Sequence, residues 1–261
     1  MTDGPTSPGE DAPSTPLLTI EGTRATIRLN RPRHLNRLQP EDLGALMALF
    51  DRVEADPALR VLVLTGTGRD FMTDVEHEHD DDVSSFVFRA ERHFDADRLE
   101  DLALPTICRI NGGVYGGSTD LALACDFRIG IDSGEMFMPA ARLGLHYYPN
   151  GIKRYVSRLG IDNAKRLFLT AERIDAREML RIGYLTAMVA ADALDGEVER
   201  VATILAGNAP EAMRGMKRAI NEFARGALDD AAARRRHLDS MSGAEISEGM
   251  KSFAEKRRPR F

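Results

Sequence analysis

The sequence predicts an α/β fold in which strands alternate with helices through the first half of the chain and helices dominate the second half. The continuous apolar run at 61–65 is typical of a strand covered on both faces of its sheet. The segment 107–130 has the pattern of a strand, a glycine turn, a helix and a second strand. From Ile161 onward the apolar spacing becomes mostly helical. These observations favour βαβ units followed by a helical C-terminal region.

The first sixteen residues are rich in Pro, Ser, Thr, Gly and acids, and they lack the apolar centre of a secretory signal. We expect 1–16 to be a disordered tail. Two short strands follow at 17–20 and 25–29 around a Glu-Gly-Thr turn. Pro40 and the acids after it suit the first turn of a helix, and apolar residues continue at helical spacing as far as Val53.

A further helix is predicted over 83–104, where Pro105 ends it. The second half of the chain predicts helices at 163–170, 176–182, 197–206, 210–225 and within 228–255. The composition changes near 190–210 without a linker. The predicted organisation is therefore a tail at 1–16, an α/β core at 17–195 and a helical C-terminal region at 196–261.

Composition narrows the class of protein. The chain has 261 residues, of which 43% are hydrophobic and 29% charged, with a net charge of −6. These values are ordinary for a soluble globular protein, and the negative charge argues mildly against nucleic acid as the main partner. No apolar run reaches the ~18 residues that a membrane helix needs. Cys108 and Cys125 lie in apolar runs and are expected to be buried thiols, which fits a cytoplasmic protein.

The glycine turn is the strongest functional signal. Asn111-Gly112-Gly113 ends an apolar strand, and Gly116-Gly117 opens an apolar helix at 118–125. Glycine lets the backbone approach a ligand closely. The first turn of a helix has N–H groups without internal partners, and the helix dipole adds positive charge there. A thioester oxygen that becomes an enolate would suit such a site, and so would a phosphate.

Several segments in this order resemble the crotonase superfamily, the enoyl-CoA hydratases and isomerases. They are RLNRPRHLNRL at 28–38, VLVLTGTGRDF at 61–71, PTICRINGGVYGGSTDLALACDFRIG at 105–130, LGLHYYPNGIKR at 143–154 and LFLTAERIDAREMLRIGYLTAMV at 167–189. The resemblance implies a crotonase-like spiral of ββα repeats with a helical C-terminal trimerisation region. It also implies an acyl-CoA thioester substrate, no separate cofactor, no metal, and a homotrimer or dimer of trimers.

The resemblance places an oxyanion hole on two main-chain N–H groups, those of Val75 and Gly117. One such donor contributes ~3–4 kcal/mol to transition-state stabilisation in other enzymes. Val75 could alternatively pack in the core with its N–H in a sheet ladder. The family favours small residues and glycine before this position, whereas this chain has Met72-Thr73-Asp74.

Hydratases of this family use two carboxylates, and here the two positions differ from the family pattern. The first is Asp120, an aspartate where the family has glutamate, so its reach is shorter by ~1.5 Å. An acid in the first turn of a helix also stabilises the helix dipole without any catalytic role. The second is Ala140, which carries no proton. We therefore do not expect a standard two-glutamate hydration.

Two further catalytic candidates follow. Where the family has a glycine-rich loop, this chain has His146-Tyr147-Tyr148. Tyr147 matches a tyrosine of the methylmalonyl-CoA decarboxylases in this superfamily, where a phenol could hold the departing carboxylate. His146 could serve as a general acid or base. The alternative for both residues is packing against the adjoining helix.

The family contacts to CoA map to two regions of this sequence and to its C-terminal helix. Each could instead be solvated surface. The candidates are Arg33, Leu35, Thr73, Phe253 and Lys256.

Histidines also occur in two segments outside this pattern. The run 76–82 alternates His with acids, but a solvated acidic loop explains it better than a metal site does. His93 and Asp95 are two residues apart on a predicted helix, so they do not face each other.

The leading hypothesis is an acyl-CoA enzyme that stabilises a thioester enolate with a non-standard set of side chains. A more specific alternative is a decarboxylase of a malonyl-type CoA. An alternative of another class is a non-catalytic scaffold that binds CoA, which Ala140 and Asp120 favour.

Overall fold

A computed structural model describes residues 15–72 and 94–261. Within this part of the chain, the main sheet contains six strands in the order β1-β2-β3-β4-β6-β9. The β1–β2 pair is antiparallel and every other pair in this sheet is parallel. The strands are β1 (Leu17–Glu21), β2 (Arg24–Leu29), β3 (Val61–Gly66), β4 (Thr106–Ile110), β6 (Phe127–Ile131) and β9 (Ala187–Val189).

The burial of the central strands explains the sequence pattern. Every residue of β3 is buried, as its unbroken apolar run predicts, because both faces of the sheet are covered. In β2 the burial alternates along the strand. Parallel pairing puts the carboxyl ends of β2, β3 and β4 at one edge of the sheet. The segments that follow these three strands are therefore neighbours.

A second, smaller sheet packs beside the glycine turn. It consists of β5 (Val114–Tyr115), β7 (Glu135–Phe137) and β8 (Arg173–Asp175). The described helices of the core are α1 (Pro40–Ala55), α2 (Phe94–Asp101), α3 (Ser118–Ala124), α4 (Pro149–Leu159), α5 (Ile161–Thr170) and α6 (Ala176–Arg181). The C-terminal helices are α7 (Leu194–Ala206), α8 (Pro210–Ala224), α9 (Asp230–Ser240) and α10 (Ala244–Ala254).

Several elements differ from the sequence expectation, which did not include the short strands β5, β7, β8 and β9. The part of the predicted helix 83–104 before Phe94 lies outside the described residues, and the helix ends at Asp101. Helix α4 was not predicted, because its buried face carries Gly151 and Arg154 beside Tyr155 and Leu159, which interrupts the apolar spacing. The region 228–255 forms two helices, since the chain ends α9 at Ser240 and starts α10 after Gly243, its N-cap. The strand–helix–strand interpretation of 107–130 is confirmed.

The C-terminal helices pack near the amino-terminal ends of the main strands. Lys217 on α8 donates to the Leu104 carbonyl at 2.9 Å and pairs with Asp126 at 2.7 Å, and these residues precede β4 and β6. The helices also expose a set of large apolar side chains: Met216, Ile220, Phe223, Leu238, Met241, Ile246, Met250 and Phe253. In the part of the chain that the structure describes, no helix is long and apolar enough to cross a membrane.

Candidate active site

The loop after β3 is held at the carboxyl edge of the sheet by two asparagine side chains. The Asn36 amide nitrogen lies within 3.1 Å of the carbonyl oxygens of Thr67, Asp70 and Phe71. Asn111, which follows β4, donates to the Gly68 carbonyl at 2.7 Å. These contacts fix the positions of the three loops relative to one another, because each asparagine comes from a different strand end.

The glycine turn lies directly against this loop. The Gly113 N–H donates to Asp70 Oδ1 at 2.9 Å. A Cβ at Gly112 would lie 2.1 Å from the Arg69 carbonyl oxygen, so only glycine fits there. Gly116 adopts φ +63°, which favours glycine for a second reason. The glycines thus permit close contact between the strand ends.

Gly117 is the N-cap residue of α3, so it lies at the start of the helix that the glycines were predicted to open. Ser118 braces this turn, since its hydroxyl accepts the Tyr115 N–H at 2.8 Å and lies 2.9 Å from the Met72 carbonyl oxygen. Val75, the other predicted donor, and Thr73 lie outside the described residues. The two-donor oxyanion hole therefore stays a prediction.

Asp120 lies in the first turn of α3 with 1% of its surface exposed. One carboxylate oxygen, Oδ2, accepts hydrogen bonds from the Tyr148 hydroxyl and from Arg154 Nη1, the latter at 2.6 Å. The other oxygen, Oδ1, is buried and has no hydrogen-bond partner among the described residues. A buried carboxylate oxygen without a partner is costly, so this atom is the one available to a ligand.

Arg154 joins Asp120 to a buried ion-pair network. Its Nη2 donates to Asp97 at 2.5 Å, and its Nε lies 3.3 Å from Glu100. Glu100 in turn pairs with Arg158 at 3.0 Å and with Arg225 at 2.6 Å. The network links helices α2, α3, α4 and α8.

The network shifts the pKa of its members. Burial opposes the charged form of Arg154, but the Asp120 and Glu100 carboxylates outweigh it, so the net effect raises the pKa of Arg154. Burial alone would raise the pKa of Glu100, yet Arg154, Arg158 and Arg225 lower it overall. Burial and the Asp120 charge both raise the pKa of Tyr148. Arg154 is thus a permanent cation and Tyr148 a neutral hydrogen-bond donor.

Two more tyrosines hold the residue before Asp120. The Tyr184 hydroxyl donates to the Thr119 carbonyl at 2.8 Å, and the Tyr155 hydroxyl contacts the Thr119 side chain. Together with Tyr148, three phenols therefore converge on the first turn of α3. This turn is fixed by contacts on several sides, which suits a catalytic side chain.

The structure separates the residues of the 146–148 segment. His146 is exposed. Tyr147 is buried in an aromatic cluster, with its ring centroid 5.0 Å from Tyr148 and 5.1 Å from Phe168. Tyr148, and not Tyr147, contacts Asp120. Gly151 makes room for these rings, because a Cβ there would lie 2.4 Å from Tyr147 Cε1 and 2.7 Å from Tyr148 Cε1.

The predicted CoA contacts fall at opposite edges of the sheet. Arg33 and Leu35 follow β2 at the carboxyl edge, next to Asn36. Phe253 and Lys256 are exposed on the C-terminal helix and the turn after it. The chain end lies at the amino edge, where Arg60 donates to the Phe261 carbonyl at 3.4 Å. Within one chain, the described contacts do not bring Phe253 or Lys256 to Asp120.

The histidine-containing segments contribute no described site. The run 76–82, His93 and the side chain of Asp95 lie outside the described residues. Elsewhere in the described ranges there is no group of three or more His, Cys, Asp or Glu side chains that could hold a metal ion.

Sequence reasoning missed Tyr148 and Arg154 as site residues. A signal for Arg154 was present, since it shares the buried face of α4 with Tyr155 and Leu159. An arginine on a buried face needs an anionic partner, and an aspartate in a fully buried helix such as α3 needs a cationic partner or hydrogen-bond donors. Arg154 and Asp120 meet this need by pairing with each other.

Comparisons with known proteins agree with this architecture. The family model of the enoyl-CoA hydratase/isomerase family matches residues 19–261. A short-chain-enoyl-CoA hydratase of Clostridium acetobutylicum is 30% identical over 93% of this chain and 95% of its own. The solved structure of Pseudomonas aeruginosa DspI has a TM-score of 0.86 and 30% identity, covering 98% of this chain and 99% of its own. An enoyl-CoA hydratase of Bacillus anthracis has a TM-score of 0.87 and 26% identity, covering 95% of this chain and 98% of its own. The fold is thus crotonase-like, and the chain belongs to the enoyl-CoA hydratase/isomerase family.

Proposed function

We propose that this enzyme removes a proton from the α-carbon of an acyl-CoA thioester and returns it elsewhere on the acyl chain, with Asp120 as the base. The observation that carries this proposal is the asymmetry of the Asp120 carboxylate. Oδ2 is held by Arg154 and Tyr148, whereas Oδ1 is buried and has no partner among the described residues. One oxygen is thus left to exchange a proton with a substrate.

A single base suits a shift of a double bond better than the addition of water. In a 3-enoyl thioester the base takes a proton from Cα, the electron pair moves to the thioester oxygen, and the proton returns at Cγ as the 2-enoyl product forms. Hydration in this family needs a second carboxylate, and Ala140 occupies that position, buried in the core. The proposed chemistry needs no cofactor beyond the CoA of the substrate.

The enolate oxygen would be bound by the N–H groups of Gly117 and Val75. The position of Gly117 at the start of α3, on the same turn as Asp120, supports this assignment. Arg33 and Leu35 lie at the same sheet edge and are proposed to contact CoA. The exposed apolar side chains of α8 and α10 support a homotrimer or a dimer of trimers.

The test measures α-proton exchange directly. Butyryl-CoA has no double bond to shift, so exchange of its α-protons in D2O, followed by NMR, reports enolate formation alone. We expect exchange by the wild-type enzyme and a loss of 10²–10⁴-fold in Asp120→Asn, the range for a general base. Asp195→Asn is the matched control, because Asp195 on α7 is exposed and pairs with Arg109 of β4.

Other substrates distinguish the alternatives. Conversion of 3-hexenoyl-CoA to its 2-enoyl isomer supports the proposal. Rapid hydration of crotonyl-CoA would contradict the single-base assignment. Carbon dioxide release from methylmalonyl-CoA, lost in Tyr147→Phe, would select the decarboxylase, and CoA binding without exchange or turnover would select the scaffold.

A further inference from the structure

We propose that Tyr148 and Arg154 are positioning residues that hold Asp120 by Oδ2 and so direct Oδ1 at the substrate proton. This inference rests on the proposed function. It assigns roles to two side chains that contact the Asp120 carboxylate.

The geometry supports a directed carboxylate. Tyr148 and Arg154 meet at the same oxygen, and Arg154 Nη1 also lies 3.2 Å from the Tyr148 hydroxyl. Two donors on one oxygen prevent the carboxylate from rotating about its Cβ–Cγ bond, since a rotation would break both contacts. A carboxylate kept only for stability would be expected to have both oxygens bonded.

Each of the two donors is itself held in place by neighbouring side chains. Arg154 is tied to Asp97 on the far side of its guanidinium, and 1% of its side chain is exposed. The Tyr148 ring lies against Tyr147 and over Gly151. Neither donor can therefore move away without disturbing α4. A displacement of about 1 Å at a reacting group can cost 10²-fold in rate.

The same contacts explain how the proton is returned. When Oδ1 takes the substrate proton, the Cα–H bond breaks, the Oδ1–H bond forms and the negative charge passes to the thioester oxygen. Arg154 and the Tyr148 hydroxyl stay bound to Oδ2 during this transfer, so the new Oδ1–H bond keeps its direction towards the acyl chain. The Oδ1–H bond then breaks as the proton returns to the acyl chain, which completes the proton shift.

The experiment compares Tyr148→Phe with Tyr115→Phe in the butyryl-CoA exchange assay and in 3-hexenoyl-CoA isomerisation. Tyr115 is the matched control because its hydroxyl also donates to a carboxylate, Glu135, at 2.8 Å, on the second sheet. We expect Tyr148→Phe to lower kcat about 10- to 100-fold with little change in KM, because the carboxylate loses a donor that fixes its orientation. Tyr115→Phe should keep the kcat of the wild type.

Arg154→Lys and Arg154→Met provide a second comparison. Lysine keeps the cation and should keep part of the rate, while Met should lose more. Only variants that retain wild-type circular dichroism are compared. A Tyr148→Phe enzyme with kcat within twofold of the wild type would overturn the inference while leaving the proposed function intact. Absence of exchange by the wild-type enzyme would instead reject the proposed function.

Discussion

Arg154 donates to Asp120 across 2.6 Å, and the two side chains are only 1% and 2% exposed. Both side chains are buried, so neither charge is solvated by water. Their pairing fixes α4 against α3 and sets the orientation of the Asp120 carboxylate. One contact therefore contributes both to the stability of the core and to the geometry of the candidate site.

Breaking this pair should destabilise the fold strongly. For Arg154→Met we expect a loss of about 3–5 kcal/mol in the free energy of unfolding, because Asp120 would remain buried without its cation. Urea denaturation followed by circular dichroism measures the loss. In Arg200→Met, which breaks an exposed pair with Glu197 within one helix, the stability should change little. Equal losses in the two variants would show that the buried pair contributes no more to the free energy of unfolding than the exposed pair does.

The stability of the fold should fall at acid pH in part through Glu100. Its pKa in the folded state is lower than in the unfolded chain, where a glutamate titrates near ~4.3. Its contribution is therefore complete above that value and disappears as the pH falls through the folded-state pKa. We expect Glu100→Gln to be less stable than the wild type at pH 7, and the difference to shrink as the pH falls below about 4.

Unfolding curves from pH 3 to pH 7 measure this difference. Glu211→Gln is the control, since Glu211 is exposed and pairs with Arg214 within a helix. If the difference in stability between Glu100→Gln and the wild type does not change with pH, the lowered pKa of Glu100 does not contribute to the stability of the fold.

A methyl group at Gly151 should disturb the site without touching a charged residue. The added Cβ would collide with the Tyr147 and Tyr148 rings at 2.4 and 2.7 Å, so one or both rings must move. We expect Gly151→Ala to cost about 1–3 kcal/mol in stability and to lower the rate of α-proton exchange. In Gly196→Ala, where nothing lies within 4 Å of the added carbon in α7, stability should rise by about 0.5–1 kcal/mol. An unchanged rate of α-proton exchange in Gly151→Ala would show that the positions of the Tyr147 and Tyr148 rings do not affect the activity.

The exposed apolar residues of the C-terminal helices predict the assembly. Phe223 on α8 and Phe253 on α10 are 74% and 87% exposed. Exposed apolar surface of this kind is typical of subunit interfaces. We expect Phe223→Asp and Phe253→Asp to convert a trimer or hexamer to monomers in analytical ultracentrifugation. Arg52→Asp, an exposed charge change on α1, should leave the mass unchanged, and a wild-type monomer would refute the interface.

The fold could be predicted from local signals in the sequence, because the strands and the glycine turn are encoded over a few residues each. The buried run of β3 and the glycines before α3 show this directly. Helix α4 could not be found in the same way, since its buried face uses Gly151 and Arg154, whose roles depend on α3. Long-range pairs of this kind leave no periodic pattern.

The candidate site could be predicted only in part for the same reason. Asp120 was predicted from the resemblance to the family, and the fold places it in the first turn of α3. The spacing of the sequence did not show which of the two adjacent tyrosines contacts Asp120: Tyr147 joins the aromatic cluster and Tyr148 contacts Asp120. That outcome is set by the start of α4 at Pro149 and by the space over Gly151, which sequence spacing alone does not reveal.

The two phenol rings over Gly151 also determine how the site can be redesigned. Removing the Tyr148 ring leaves Asp120 with one fewer donor. A second acid introduced at position 140 would therefore have to be accommodated with the contact between Tyr148 and Asp120 kept intact. Laboratory evolution of the proposed reaction toward hydration should accordingly vary position 140 and retain Tyr148 and Asp120.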